Sequence, residues 1–113
     1  MRFSTLVVNE AGCAQQLARF FPTSVAVHVP VTVNFARAGN GSLREPVVVE
    51  FAGAEHAIFV STLPLEFNDR VRLEREPKGD TAEASVVAVQ YHEGRKAVAV
   101  RFVGGPCRWV TKS

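Results

Sequence analysis

The sequence predicts a mainly β protein, a small antiparallel β barrel of six or seven strands with at most one or two short helices. The stretch Val25–Phe35 alternates apolar and polar side chains with the period of two that a strand requires. Three further strand-like runs, separated by short turn signals, follow at Arg70–Glu74, Ala84–Tyr91 and Ala97–Phe102. Because such a meander is common in small closed sheets, we expect a barrel.

Length and composition indicate one folded domain, residues 1–113. The chain has 113 residues, of which 47% are hydrophobic, and this is enough to form a core. Its longest apolar runs are far shorter than the roughly 20 residues that cross a bilayer, and no signal-peptide core follows the start. We therefore expect no membrane insertion, a cytoplasmic location, and reduced thiols at Cys13 and Cys107.

The first 24 residues can be assigned in two ways. Arg2–Val8 is strand-like, whereas Cys13–Phe21 is rich in helix formers. In the second run Cys13, Leu17, Phe20 and Phe21 fall close to one helical face, and Pro22 would end the helix. The segment is therefore either a docked helix or a strand extension of the barrel, and the sequence leaves both open.

The Val25–Phe35 strand also carries a signal for interaction. Its valines and Phe35 share one face, and His28, Pro30 and Thr32 lie on the other. Proline has no N–H to donate to a ladder, which predicts a sheet edge or a bulge at Pro30. Because an open edge invites strand addition, we expect an interaction edge at His28, Pro30 and Thr32 for a protein partner or a second copy.

The residues between this strand and the meander predict two more strands. Gly39, Asn40 and Gly41 form the strongest turn signal in the chain. Arg44–Phe51 then contains three consecutive valines, which is typical of a buried central strand, and Ala57–Val60 resumes as another. The eight phenylalanines lie mostly among apolar neighbours and are predicted to be core residues, while Trp109 is expected to close or flank one end of the barrel.

No pattern in the sequence calls for catalysis, a metal or nucleic acid. The three histidines, His28, His56 and His92, lie in separate segments without metal-ligand spacing, and the chain has no nucleophile elbow or phosphate-binding loop. Its formal charge of +2 is spread along alternating signs, as at Arg70–Glu76. We therefore expect no enzyme and no metal, and the lack of clustered cations disfavours nucleic-acid binding.

The second half of the chain resembles a known family. Pro64–Leu73 (PLEFNDRVRL), Ala84–Val89 and Val98–Phe102 correspond to the patterns "PL..GDRVRL", "A.VV.V" and "VAVRF" of the PilZ domain, a bacterial module associated with cyclic-di-GMP signalling. Asn68 stands where the family usually has Gly, a substitution that suits a position with positive φ. The resemblance covers about residues 25–103, includes Val29–Val33 as a first barrel strand, and implies a PilZ-like barrel.

Nucleotide-binding members of that family carry R-x-x-x-R before the first strand and (D/N)-x-S-x-x-G in the next strand-turn. Here Arg19 is followed four residues later by Thr23, and the second region, Glu50–His56, lacks the Ser. Each lost charge-assisted contact is worth about 1.5–3 kcal/mol. If the nucleotide is held nevertheless, the candidate residues are Arg19, Arg37, Arg44, Glu50 and Gly53.

The resemblance therefore implies a non-enzymatic signalling or adaptor module that acts through protein–protein contacts in a bacterial cyclic-di-GMP-related pathway. Two alternatives stay open: a cyclic-di-GMP receptor with a diverged arginine site, and a small-barrel nucleic-acid-binding protein. No cofactor is expected other than cyclic-di-GMP as a candidate ligand. The partner is expected among signalling or motility proteins, and self-association is left open.

Overall fold

The structure, a computed structural model, describes residues 12–36, 41–75 and 77–111. Residues 12–18 are helical and are called the N-terminal helix below. The strands that follow are β1 (Val25–Ala36), β2 (Ser42–Ala52), β3 (His56–Val60), β4 (Arg70–Arg75), β5 (Asp80–His92) and β6 (Arg95–Phe102), and a 3-10 turn covers Trp109–Thr111. The strand predicted at Arg2–Val8 lies outside the described residues, as do Phe3 and Arg37.

The six strands close into an antiparallel barrel, which confirms the predicted fold class. Their order around the barrel is β1-β2-β3-β6-β5-β4, and β4 returns to pair with β1. The closing ladder joins Thr32–Phe35 of β1 to Val71–Glu74 of β4. The predicted meander corresponds to β4, β5 and β6, which are consecutive neighbours in this order.

The barrel interior is apolar because alternate residues of every strand point inward. In β1 the side chains of Val29, Val31, Val33 and Phe35 are buried, as the alternation predicts. Val25 departs from the prediction and is 56% exposed. The cause is a register shift, since β1 advances from Ala26 to Val29 while β2 moves only from Phe51 to Val49. The extra residue forms a bulge that breaks the alternation.

Two connections close the ends of the barrel. The segment after β3 contributes Leu63 and Leu65 to the core, and the segment after β6 contributes Cys107 and Val110. Because β3 and β6 are antiparallel neighbours, these segments leave from opposite ends of the barrel. Trp109 packs against the core at the second end, as expected for this tryptophan.

The N-terminal helix lies on the outside of the barrel, which decides between the two assignments for its residues. Cys13, Ala14 and Leu17 are buried, and they form a second cluster with outward-facing residues of β3 and β6, namely Ile58, Ala97 and Ala99. Consequently β6 is buried on both faces from Ala97 to Val100. A hydrogen bond from Gln90 Nε2 to Gln16 Oε1 (3.0 Å) also ties the helix to β5.

The predicted helix face is wrong at Phe20, which is 74% exposed. The backbone N–H groups of Arg19, Phe20 and Phe21 bond to carbonyls three residues earlier, so the last turn is tighter than an α-helix. Phe21 is half-buried there and contacts the ring of His56 with a centroid distance of 4.8 Å. The prediction that phenylalanines are core residues also fails at Phe67, which is 66% exposed.

Two further sequence expectations can be checked in the structure. Asn68 has a φ of 74°, so the position that resembles a family glycine does need positive φ. Cys13 and Cys107 are free and buried, one in the outer cluster and the other in the inner core. The barrel wall separates these clusters, and burial raises the pKa of both thiols. No helix in the described ranges is long and apolar enough to span a bilayer.

Candidate functional site

The residues predicted to hold a nucleotide are spread along β2 and its ends. Arg44 pairs with Asn34 close to the β1–β2 connection, whereas Gly53 follows the other end of the strand, where Ala52 pairs with Val25. Eight residues separate Arg44 from Ala52, and at the rise of a strand this is ~27 Å. Arg44 and Gly53 therefore do not line one pocket.

The turn around Gly53 is filled by the protein itself. An added Cβ at Gly53 would lie 3.4 Å from the backbone oxygen of Thr23, so the chain leading into β1 packs on this turn. The Gly53 N–H donates to the His56 carbonyl at 2.9 Å, which closes the turn. Burial, with a further contribution from Arg101, lowers the pKa of His56 despite the opposing effect of Glu55. The arrangement is a packed structural turn.

The other predicted residues do not complete a nucleotide site. Arg19 is exposed directly after the N-terminal helix, and Glu50 is half-buried on β2. The Arg44 guanidinium contacts the Glu74 carboxylate, with 3.3 Å between Nη2 and Oε1. Thr23, at the position of the second family arginine, lies against Gly53 and offers no positive charge.

The N-terminal half of β1 is the most open stretch of the closing seam. β1 pairs with β2 along its length, but with β4 only at Thr32–Phe35. Among the described strands, Val25–Val31 therefore has one neighbour. Pro30 lies in this singly paired half and is in register with Val48, whereas the bulge precedes it, between Ala26 and Val29. His28 and Pro30 are exposed and Thr32 is half-exposed.

An apolar cleft, here called the β1 cleft, lies where β1 separates from β4. Its volume is about 320 Å³, and it is lined on β1 by Pro30, Val31 and Thr32. The β2 side is formed by residues 46–48, and Glu74 stands at its boundary. The β1 cleft thus places an apolar surface beside singly paired backbone, a combination that suits strand addition.

A second cleft, here called the arginine cleft, lies farther along the same side of the barrel. Asn34 pairs with Arg44 on β2 and with Arg72 on β4, so the three outward side chains form a row across three strands. Arg70 lies two residues before Arg72, and all four residues line a space of about 370 Å³. The arginine cleft is defined by these four residues: Asn34, Arg44, Arg70 and Arg72.

Sequence reasoning missed two members of the arginine cleft. Arg70 and Arg72 lie in the run of alternating charges at Arg70–Glu76, a pattern that gives no sign of clustered cations. Arg72 is brought beside Arg44 because both residues pair with Asn34, and Arg70 follows because it lies two residues before Arg72. This arrangement depends on the register of three strands. Register is set by tertiary pairing and is not visible in the sequence of one strand.

A polar network at Glu45 has a structural role. Its carboxylate accepts bonds from Ser61 Oγ (2.6 Å) and from the Thr62 N–H and Oγ1 (3.0 and 2.5 Å). Burial alone would raise the pKa of Glu45, but these hydrogen bonds outweigh it and lower the pKa. The Lys96 ammonium donates to the Leu63 carbonyl beside this network, and burial lowers the pKa of Lys96 against the opposing pull of Glu45.

The histidines and acids do not gather into a metal site in the part of the chain that the structure describes. No group of three or more His, Cys, Asp or Glu side chains there is placed to hold a metal ion. His28, His56 and His92 lie on β1, β3 and β5 respectively.

The comparisons with known proteins add no relative. The sequence matches no protein-family model, and no curated protein is significantly similar to it. What supports a function is therefore the surface geometry described above, together with the resemblance of residues 25–103 to the PilZ pattern.

Proposed function

We propose that this chain is a PilZ-like, non-enzymatic module that acts through protein contacts at β1 in a bacterial cyclic-di-GMP-related signalling pathway. The observation that carries the proposal is the half-open β1, where Val25–Val31 has a single described neighbour and borders the apolar β1 cleft. An extended segment of a partner can bond to the backbone there and place apolar side chains in the cleft.

Three residues support the adaptor role over direct nucleotide recognition. Thr23 occupies the place of the second family arginine and is packed against Gly53. Arg44 lies ~27 Å along β2 from the end that carries Gly53. The family's nucleotide site needs an arginine pair beside this turn, because bidentate guanidinium contacts hold the phosphates there, and Thr23 leaves that pair incomplete.

The pathway part of the proposal rests on the resemblance. The six-stranded antiparallel barrel agrees with a PilZ-like fold, and the positive φ of Asn68 agrees with the glycine of the family pattern. Small β barrels host many functions, so the fold by itself does not name the pathway. The partner is expected to be a signalling or motility protein of the host.

The test is capture of partners from the native host with an edge variant and a matched control. Ala26→Lys with Thr32→Lys places two charges on β1, which should block strand addition. Gln15→Lys with Tyr91→Lys adds the same charge at two exposed sites outside β1, one in the N-terminal helix and one in β5. Thermal melting of both variants verifies the fold.

We expect that the wild type and the control variant both capture the same partner protein and that the edge variant does not capture it. Equal capture by all three forms would contradict the role of β1. Failure of the wild type to retain any protein above the level of unrelated bait would contradict the adaptor role. Size-exclusion chromatography of the same forms shows whether a second copy occupies the edge.

A further inference from the structure

We infer that the arginine cleft is an oxyanion site that takes the phosphate group of a small metabolite. This inference does not depend on the adaptor role of β1. It rests on the arrangement of Asn34, Arg44, Arg70 and Arg72, on the charges that are neutralised among them, and on the size of the space that they enclose.

The backbone brings three guanidinium groups to one place. Arg44 and Arg72 stand on either side of Asn34 as its direct cross-strand partners. With strands about 4.8 Å apart, the Cα atoms of these two arginines are separated by two strand spacings. Arg70 shares the face of Arg72, two residues away on the same strand. A tetrahedral anion above Asn34 is within reach of all three side chains.

The cleft retains uncompensated positive charge. Arg72 Nε donates to Glu83 Oε2 at 2.7 Å, and Arg44 Nη2 is 3.3 Å from Glu74 Oε1. The Arg70 side chain forms no ion pair among the described residues. With three arginines against two glutamates, one positive charge remains, and the Arg44 side chain, 59% exposed, can turn toward a ligand.

The floor of the cleft contains a polar atom that lacks a partner. Asn34 Nδ2 is buried and donates no hydrogen bond within the described structure. A buried donor without an acceptor costs about 1–3 kcal/mol. A phosphate oxygen entering between Arg44 and Arg72 would supply the acceptor, so ligand binding would relieve this cost.

Arg75, on the same strand as Arg70, is bound by its neighbours. Arg75 Nη2 lies 2.5 Å from Asp80 Oδ2, and its side chain is only 14% exposed. The same guanidinium is 5.2 Å from the centre of the Trp109 ring and donates to the Trp109 carbonyl. Arg75 is thus fully engaged in closing the barrel, whereas Arg70 is free to bind.

The size and charge of the cleft indicate the ligand class. A space of about 370 Å³ fits a small molecule. Arginine forks match phosphate oxygens in a bidentate manner and favour phosphate over a monovalent anion. Glu74 and Glu83 also line the cleft, where they repel a long polyanion, and this disfavours a nucleic-acid strand.

The test is calorimetric titration of the full chain with inorganic pyrophosphate at low salt. Arg70→Gln should weaken binding by about tenfold or more, because one charge-assisted contact is lost. Arg95→Gln is the control, since it removes the same charge from an exposed position at the start of β6. It should change the affinity by less than about twofold.

A second variant and a second anion make the result decisive. Asn34→Asp puts a carboxylate beneath the anion and should abolish binding, and citrate should bind more weakly than pyrophosphate. Absence of pyrophosphate binding below about 1 mM would overturn the inference. Equal weakening by Arg70→Gln and Arg95→Gln would also overturn it, because the binding would then come from diffuse electrostatics. Equal binding of citrate and pyrophosphate would overturn it as well, because the cleft would then not select phosphate.

Discussion

At the scale of single residues, the Glu45 carboxylate shows how one side chain holds a connection in place. It receives hydrogen bonds from Ser61 and Thr62, and Ser61 Oγ in turn accepts the Leu63 N–H at 3.0 Å. These bonds fix the start of the β3–β4 connection against β2. Leu63 is therefore held in position to close that end of the barrel.

Glu45→Gln is expected to lower the free energy of unfolding by about 1–3 kcal/mol at pH 7, because charge-assisted bonds are replaced by weaker ones. The folded pKa of Glu45 is lowered, so its contribution is present above the ordinary value of 4.5 and is lost as the pH falls through the folded pKa. Urea unfolding of both proteins between pH 7 and pH 3 measures this, and the stabilities should converge at the acid end.

The exposed residue Glu93 provides the control for that measurement. Glu93→Gln should leave the stability and its pH dependence within about 0.5 kcal/mol of the wild type. If Glu45→Gln differs from the wild type by the same amount at pH 7 and pH 3, the ionised form of Glu45 does not provide the stabilisation.

At the scale of elements, the N-terminal helix is held by burial of one face on β3 and β6. Leu17 is 3% exposed and Phe20 is 74% exposed, although the two residues lie three positions apart. Leu17→Ala should cost about 2–4 kcal/mol, since it leaves a cavity in the outer cluster. Phe20→Ala should cost less than about 0.5 kcal/mol.

Chemical unfolding of the two variants, followed by Trp109 fluorescence, compares these costs. A similar small effect of both variants would mean that the helix does not contribute to the stability of the barrel. A similar large effect of both would mean that Phe20 is also buried, contrary to the tightened last turn of the helix.

The sequence predicted some features of these elements and missed others. Alternation predicted the inward face of β1 from Val29 onward, and composition indicated the helix as one of two assignments, because both signals are local. The exposure of Val25 follows from a bulge, which exists only relative to the register of β2. The arginine cleft was missed for the same reason, since Asn34, Arg44 and Arg72 are brought together by pairing across strands. The position of Asn68 was predictable because its backbone requirement is local.

At the scale of the whole molecule, the outer surface of the barrel differs between two sides. On one side, outward-facing apolar residues of β3, β5 and β6 pack against the N-terminal helix. The face formed by β1, β2 and β4 carries the β1 cleft and the arginine cleft, which share Glu74 at their boundary. The two proposed binding surfaces therefore lie side by side.

The proposed role of this chain is that of a PilZ-like barrel that serves as a protein-contact module and lacks the family's arginine pair. Isothermal titration of the full chain with cyclic-di-GMP tests it most directly. Since the arginine pair is missing and each such contact contributes about 1.5–3 kcal/mol, we expect no binding tighter than about 100 μM. Binding with a micromolar or lower dissociation constant would contradict the claim and identify the chain as a receptor.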